Sequence, residues 1–189
     1  MPFDDSPAPR GPIQLRDGRR ARTRPIQPGD AGALTRGLER LSPTGNAYRF
    51  LHHRKRFTEA ELHYLTHCDF HDHIAVVLAL LDAQGHETDQ VGVARCIRTP
   101  EDPELAEVGI VLVDDCQNLG GGTALLRHLV RLAWASGIRR WQAFSFAENV
   151  AASQLLRRFG LEISQRDAGY GTTESIYELL PPEADGTAD

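Results

Sequence analysis

The segment Gln117-Asn118-Leu119-Gly120-Gly121-Gly122-Thr123 is the most informative part of this chain, because three consecutive glycines separate two apolar stretches. The stretch before it, 106–113, has the composition of a buried strand, and the leucines after it recur at helical spacing. Bare backbone at the start of a helix can present several N–H groups to an anion, aided by the helix dipole. The spacing matches neither G-x-G-x-x-G nor the G-K-[ST] ending of a P-loop. We therefore predict a loop that binds a pyrophosphate outside the two usual nucleotide-binding motifs.

The composition is that of a globular protein in solution. The chain has 189 residues, with 41% hydrophobic and 25% charged residues, and it contains no apolar run long enough to span a membrane. A net charge of −5 provides no attraction to nucleic acid or to an anionic membrane, so we expect neither as a partner. The N-terminal residues lack the basic and apolar regions of a secretory signal, and three widely spaced cysteines do not suggest disulfides. These features predict a cytoplasmic location.

Proline-rich ends flank one continuous region of regular patterning. We predict disordered tails at 1–12 and 181–189 and one domain at 13–180. The order of periodic segments predicts a mixed α/β (α+β) domain, with a central mixed twisted sheet of about seven strands flanked by about four helices. The predicted strands are 20–27, 73–81, 90–97, 106–113, 141–146, 161–167 and 175–180, and the predicted helices are approximately 33–41, 58–67, 125–136 and 151–159.

Three local features add detail to this outline. The segment 42–46 is expected to break the first helix, and 98–105, with two prolines, is expected to be a loop. Gly109 within a predicted strand indicates a β-bulge or a close backbone approach, either of which would expose main-chain groups of this strand to a ligand. The five arginines between Arg16 and Arg24 are interpreted as the solvated face of the first strand rather than as a contact to a polyanion.

The glycine segment resembles the acyl-coenzyme A loop of the GNAT superfamily of N-acyltransferases, whose pattern is Q/R-x-x-G-x-G/A. The stretch 149–162 resembles the second signature of that family, an asparagine followed by a helix and a glycine turn. Leu15-Arg16-Asp17-Gly18 and Thr66-His67-Cys68-Asp69-Phe70, among other stretches, resemble the acetyltransferase domain of bacterial Pat-type protein-lysine acetyltransferases. The resemblance implies the GNAT fold, acetyl-CoA as the acyl donor, and transfer to an amine, with a protein lysine as the favoured acceptor.

The resemblance also assigns residues to the cofactor. Backbone amides of the glycine segment would hold the pyrophosphate, and the open edge of the strand before it would pair with the pantetheine arm. Asn149 and Ser153 would contact that arm, although Asn149 could instead cap a helix and Ser153 could simply face solvent. The implied cofactor-binding residues are Val111, Leu112, Val113, Gln117, Asn118, Leu119, Gly120, Gly121, Gly122, Thr123, Asn149 and Ser153.

Glu107 is the candidate catalytic base. A lysine amine has a reference pKa of about 10.4, so it must lose a proton before it attacks a thioester. Glu107 stands where the Pat-type enzymes place their proposed catalytic glutamate, although a structural role as a paired or edge-exposed carboxylate is the alternative. Glu148 and Asp115 are weaker candidates because both lie in predicted turns. Leu156 occupies the position where many GNAT enzymes carry a tyrosine that protonates the leaving thiolate, so the proton donor is unassigned.

Other chemistries have less support. His63 and His67 are four residues apart with Asp69, His71 and His73 nearby, but no H-E-x-x-H motif is present and the family chemistry needs no metal, so we predict none. No G-x-S-x-G elbow indicates a serine nucleophile. Two functional alternatives stay open: acetylation of a small amine, and a non-catalytic acyl-CoA sensor that docks to a partner. A homodimer is possible.

Overall fold

The longest apolar run of the chain forms the strand around which the sheet is built. Residues His73–Leu81 are buried almost without exception, which is the pattern of a strand covered on both faces. The computed structural model describes residues 11–51 and 54–182, so the predicted tails at 1–12 and 181–189 lie almost entirely outside it.

Within the described residues the sheet has eight strands in the order β1-β2-β3-β4-β5-β6-β8-β7. The strands are β1 Ile13–Gln14, β2 Arg20–Pro25, β3 His73–Leu81, β4 Glu87–Thr99, β5 Asp102–Leu112, β6 Arg140–Phe146, β7 Gly160–Gly169 and β8 Thr172–Leu179. The helices are α1 Ala31–Glu39, α2 Pro43–Phe50, α3 Glu59–Thr66, α4 Gly121–Ala135 and α5 Val150–Leu156. The predicted class, mixed α/β with helices flanking a mixed sheet, is confirmed.

One helix was missed, and one predicted loop is wrong. The first helix does end before 42–46 as predicted, but that segment also starts α2, because Ser42 caps it by accepting a hydrogen bond from the Gly45 N–H at 3.1 Å and Pro43 fits the first turn. The segment 98–105, expected to be a loop, is mostly strand: Thr99 pairs with Asp102, and β4 and β5 form a long antiparallel hairpin. The register shifts between Arg98 and Thr99, and the two strands stay paired on both sides of this irregularity.

The main core lies between the sheet and α4. Helix α4 buries Leu125, Leu126, Leu129 and Ala133 against the apolar face of β3 and β4, and Trp141 of β6 completes that layer. A smaller cluster on the opposite face, around Ile26, Ala75 and Val77, packs under α1. The sheet therefore separates two helical layers, with α4 on one face and α1 on the other.

The sheet opens at one place. All neighbouring strands are antiparallel except β5 and β6, which pair in parallel only where Leu105–Glu107 face Arg140–Gln142. Beyond Glu107 the two strands separate, so one edge of β5 faces a gap instead of another strand. This gap positions the candidate site.

Candidate functional site

Each glycine of the loop 117–123 has its own structural reason. Gly120 precedes α4 with φ of +94°, a left-handed conformation that an L side chain adopts only at a cost. Gly121 is buried where the sheet and α4 approach closely, so that a Cβ there would lie 2.5 Å from Leu78 Cδ2. Gly122 lets α5 approach, since its Cβ would lie 3.0 Å from Leu155 Cδ2. The loop is thus shaped to start a helix at the gap with bare backbone.

Two arginines hold this loop. Arg16 donates from its backbone N–H to Leu119 O and from its guanidinium to Asn118 O, both at 3.1 Å. Arg158 donates to the Thr123 hydroxyl at 3.1 Å. With loop carbonyls engaged by Arg16 and the first N–H groups of α4 lacking partners within the helix, the loop presents donors and positive charge to the gap. The prediction that the Arg16 cluster is only a solvated strand face therefore misses the contribution of Arg16 to this site.

A cleft of about 360 Å³ lies between the glycine loop, β5 and α5. It brings together most of the predicted cofactor-binding residues: Val111, Leu112, Gln117, Asn118, Gly120, Gly122, Thr123 and Asn149. Four others lie outside its lining. Leu119 packs on the core, Gly121 is buried, the Val113 N–H is bonded to Val91 O at 2.9 Å, and the Ser153 hydroxyl donates to Val150 O at 3.0 Å.

Only every second residue of β5 directs its backbone N–H and C=O groups to the open edge. Glu104 O accepts from Arg139 N–H on the β6 side, whereas Val113 N–H donates to Val91 O on the β4 side. Because successive residues of a strand direct their backbone groups to opposite sides, Val108, Ile110 and Leu112 present theirs to the gap. The hydrogen-bonding edge available to an extended ligand is therefore that of Ile110 and Leu112, rather than the whole of 111–113 as the sequence suggested. The Gln117 side chain already donates to Leu112 O at 3.3 Å.

Glu107 lies at the point where β5 and β6 part. Its side chain is exposed and lines a second cavity, of about 290 Å³. This cavity shares five lining residues with the cofactor cleft, so the two are continuous; those residues are Tyr48, Arg49, Ile110, Asn149 and Ala152. The structure thus places a carboxylate beside the inner end of a cleft that begins at the glycine loop.

Gly109 has no bulge, but it does allow a close approach. The pairing of β4 with β5 runs without interruption through Arg95 and Gly109, so the predicted bulge is wrong. The alternative prediction holds in that a side chain approaches the Gly109 backbone closely, because a Cβ at Gly109 would lie 3.0 Å from Arg49 Cζ. The missing side chain makes room for the guanidinium of α2, which interacts electrostatically with Glu107. With the strand regular, Glu107, Gly109 and Val111 share one face.

The helix-cap interpretation of Asn149 is confirmed, while its contact with the cofactor arm stays a prediction. Its side chain caps α5 by accepting from Ala152 N–H at 3.3 Å, and it also lines the cofactor cleft and the Glu107 cavity. Leu156, the residue at the usual tyrosine position, is buried and lines the Glu107 cavity. Tyr48 of α2 reaches both cavities, with its ring 6.1 Å from that of Phe146. No motif around Tyr48 or Arg49 indicated a role, since only the packing of α2 brings them to the gap.

The remaining candidates lie elsewhere. The rings of His63 and His67 stack on each other at 3.7 Å, and within 11–51 and 54–182 no group of three or more potential ligands is arranged to hold a metal. Asp115 is ion-paired with Arg40 at 3.1 Å. Among the described helices, none combines the length and apolar character needed to cross a membrane.

Known proteins similar to this chain are acetyltransferases. The profile of the acetyltransferase (GNAT) family matches residues 45–161. An acetyltransferase of Pseudomonas aeruginosa is 32% identical over 165 residues, covering 87% of this chain and 86% of that protein. Acetyltransferase Pat of Mycolicibacterium smegmatis is 29% identical over 163 residues, covering 86% of this chain and 47% of Pat, so the chain spans about half the length of that relative. The GNAT domain of S. lividans PAT superposes with a TM-score of 0.74 at 26% identity, over 89% of this chain and 96% of that domain.

Proposed function

This chain belongs to the GNAT family and is an N-acetyltransferase, and we propose that it transfers acetyl from acetyl-CoA to the ε-amine of a protein lysine in the cytoplasm, with Glu107 as the base. The observation that carries the proposal is the position of Glu107. Its carboxylate lies where β5 and β6 separate, in a cavity continuous with the cleft under the glycine loop. A base is needed at that point, because the thioester end of the donor must meet the amine there.

The cleft is suited to hold the donor. The N-terminal N–H groups of α4 and the Arg16 and Arg158 guanidinium groups would bind the pyrophosphate, since cations and helix N-termini stabilise phosphate oxygens. The pantetheine arm would lie along the open edge of β5, with its amides bonded to the backbone of Ile110 and Leu112 as a further strand would be. Asn149 faces the other side of this path from the start of α5.

The chemical step is direct transfer. Glu107 takes a proton from the ammonium, directly or through one water, and the free amine attacks the thioester carbonyl to form a C–N bond. The backbone N–H of Ile110 faces the gap and would stabilise the oxyanion. In the family this role belongs to a main-chain N–H near the bulge of the strand. Collapse of the intermediate breaks the C–S bond and releases coenzyme A as a thiolate. The nitrogen loses its second proton, which balances the proton that the thiolate takes up, and a neutral amide is left on the acceptor.

Tyr48 supplies a phenol that position 156 lacks. It lines the cofactor cleft and the Glu107 cavity together, which no other described tyrosine does. We assign Tyr48 as the acid that protonates the thiolate, because a phenol beside the departing sulfur would shorten the lifetime of the charged leaving group. The resemblance of the sequence to Pat-type protein-lysine acetyltransferases supports a protein lysine as the acceptor over a small amine.

The test pairs Glu107→Gln with a binding measurement. We expect kcat for acetyl transfer to fall about 100-fold or more, the usual contribution of a general base. Affinity for coenzyme A should change less than about twofold, because Glu107 is absent from the lining of the cofactor cleft. Glu101→Gln, an exposed carboxylate in the turn before β5, is the matched control.

Acceptors are screened with acetyl-CoA, including lysine peptides, an intact acyl-CoA synthetase, and polyamines and amino acids, and the acetylated nitrogen is located by mass spectrometry. Transfer to lysine side chains supports the proposal, whereas transfer confined to small amines contradicts the acceptor. Saturable acetyl-CoA binding without transfer or hydrolysis, unchanged in Glu107→Gln, would identify a sensor. Equal losses of rate and coenzyme A affinity in Glu107→Gln would remove Glu107 from the role of base.

A further inference from the structure

Arg49 stands where three cavities meet. It lines the cofactor cleft, the Glu107 cavity and a third cavity of about 70 Å³ between the sheet and the first three helices. The third cavity is lined by apolar side chains of α1 and of strands β4 and β5, and its polar residues include Arg49 and Arg95; its apolar lining includes Leu34, Leu38, Leu41, Phe57, Val93 and Val111. Arg49 therefore lies between the reacting end of the cofactor cleft and an apolar interior space.

The Arg49 guanidinium is poorly compensated. Within the described residues it makes no hydrogen bond or ion pair, and its contacts are the backbone at Gly109 and the Phe50 ring, 5.2 Å from Cζ. Burial lowers the pKa of Arg49, and the Glu107 carboxylate only partly opposes that effect. A guanidinium has five N–H donors, and those of Arg49 are not fully buried but open onto the cofactor cleft and the Glu107 cavity, where a ligand can accept from them.

Arg95 brings a second cation to the same cavity. It is only 5% exposed on β4, and its partners are neutral: Leu65 O at 3.3 Å and His73 Nε2 at 2.9 Å. Burial lowers the pKa of His73 to about 4, so this imidazole is uncharged near neutral pH. Burial, together with repulsion by Arg49, lowers the pKa of Arg95 to about 10. Neither effect abolishes the guanidinium charge at neutral pH.

Charges around the cavity do not balance. Arg54 is paired with Glu61 at 2.6 Å and Arg49 interacts with Glu107, whereas no carboxylate of the described residues contributes to the pKa of Arg95. One negative charge is missing from this cluster of described residues. Since buried cations are normally paired, a ligand that carries one carboxylate into the cavity would satisfy the arrangement.

Resting on the proposed function, we propose that the site that takes acetyl-CoA also takes, and binds more tightly, a donor whose short acyl chain ends in a carboxylate, of the succinyl type, with that carboxylate bound to Arg49 and pointing toward Arg95. The third cavity adjoins the cofactor cleft through Val111, on the strand along which the donor lies, and its lining does not include Glu107, where the acceptor amine must be. A succinyl group exceeds acetyl by four non-hydrogen atoms. Since a cavity of about 150 Å³ binds benzene, which has six non-hydrogen atoms, one of about 70 Å³ holds about three, so the carboxylate would lie at the mouth of the cavity beside Arg49.

The transfer step is otherwise unchanged. The amine forms the C–N bond, the C–S bond breaks, Glu107 takes the amine proton, and coenzyme A leaves as its thiol. The terminal carboxylate takes no part in bond changes and passes intact to the acceptor. It therefore affects which donor binds and reacts, and the product retains a negative charge where the lysine had a positive one.

Titration calorimetry of the full chain with succinyl-CoA and butyryl-CoA isolates the carboxylate, because the two acyl chains have equal length. We expect succinyl-CoA to bind at least tenfold more tightly. In Arg49→Met that preference should fall about 10-fold to 100-fold, as a charged hydrogen bond is worth about that factor, and Arg49→Lys should retain part of it. Arg36→Met, an exposed arginine of α1, is the matched control and should leave the preference intact. Circular dichroism and coenzyme A affinity verify that each variant is folded.

Equal affinity for the two donors, or a preference that survives Arg49→Met, would overturn the inference. A third result would also overturn it: Arg49→Met changes the discrimination between acceptors with and without a carboxylate but leaves the donor preference unchanged. Arg49 would then bind the acceptor. These readouts need no transfer. If the chain prefers succinyl-CoA but transfers no acyl group, the donor site stands and the proposed function fails. If it transfers acetyl without any donor preference, the proposed function stands and the donor site fails.

Discussion

Replacing Gly121 by alanine tests how closely α4 packs on the sheet. The added Cβ would lie 2.5 Å from Leu78 Cδ2 and 3.0 Å from Leu112 Cδ2, well inside the 3.5–4.0 Å optimum for carbon atoms. Leu78 is fully buried on β3 and has little room to move. Overpacking of this kind costs about 1–3 kcal/mol, and because Gly121 is the first residue of α4, the gain from replacing a glycine offsets less than the ~1 kcal/mol found in a helix interior.

We therefore expect Gly121→Ala to lower the free energy of unfolding by about 1–2 kcal/mol, which corresponds to a Tm decrease of about 2–8 °C for a domain of this size. Thermal unfolding followed by circular dichroism, with urea titration beside it, measures both quantities. Gly37→Ala is the matched control: Gly37 lies in α1 with nothing within 4 Å of its would-be Cβ, so alanine should stabilise the fold by about 0.5–1 kcal/mol. If Gly121→Ala were as stable as the parent chain, the close approach of α4 to β3 would be refuted.

Two further predictions concern the site and the core. Tyr48→Phe should lower kcat about tenfold or more with little effect on coenzyme A affinity, because only the phenol oxygen is removed; an unchanged rate would reassign protonation of the thiolate to water. His128 is fully buried with Nδ1 3.0 Å from Thr23 Oγ1, and burial lowers its pKa to about 4. Because the unfolded chain protonates this imidazole near pH 6.5 and the folded chain only near 4, the free energy of unfolding should decrease as pH falls across that window. Urea unfolding at pH 5 and pH 7 should show a smaller difference in His128→Phe than in the parent chain.

The parts of the fold that follow from neighbouring residues were predictable. The helical spacing of leucines after Gly122 and the apolar run of β3 identify a helix and a strand because both periodicities arise within a few residues. Turn chemistry was a weaker guide. Proline at the first turn of α2 was taken only as a break although it also fits the start of a helix, and the pairing of Thr99 with Asp102 depends on the partner strand, which local composition does not specify.

For the site, the sequence by itself determined the chemistry of the loop: three glycines before a helix require bare backbone, and the motifs around Gly120 and Asn149 pointed to an acyl-CoA cleft. Their roles in binding, and that of Glu107 in catalysis, stay predictions. Only the tertiary structure decided which other side chains reach the gap. Arg49 and Tyr48 lie on α2, some 60 residues before Glu107, and they arrive because Gly109 leaves room for a guanidinium and because β5 and β6 part beyond Glu107. Sequence patterns encode local backbone preferences, whereas such encounters depend on how helices pack across the sheet, which no short stretch of residues specifies.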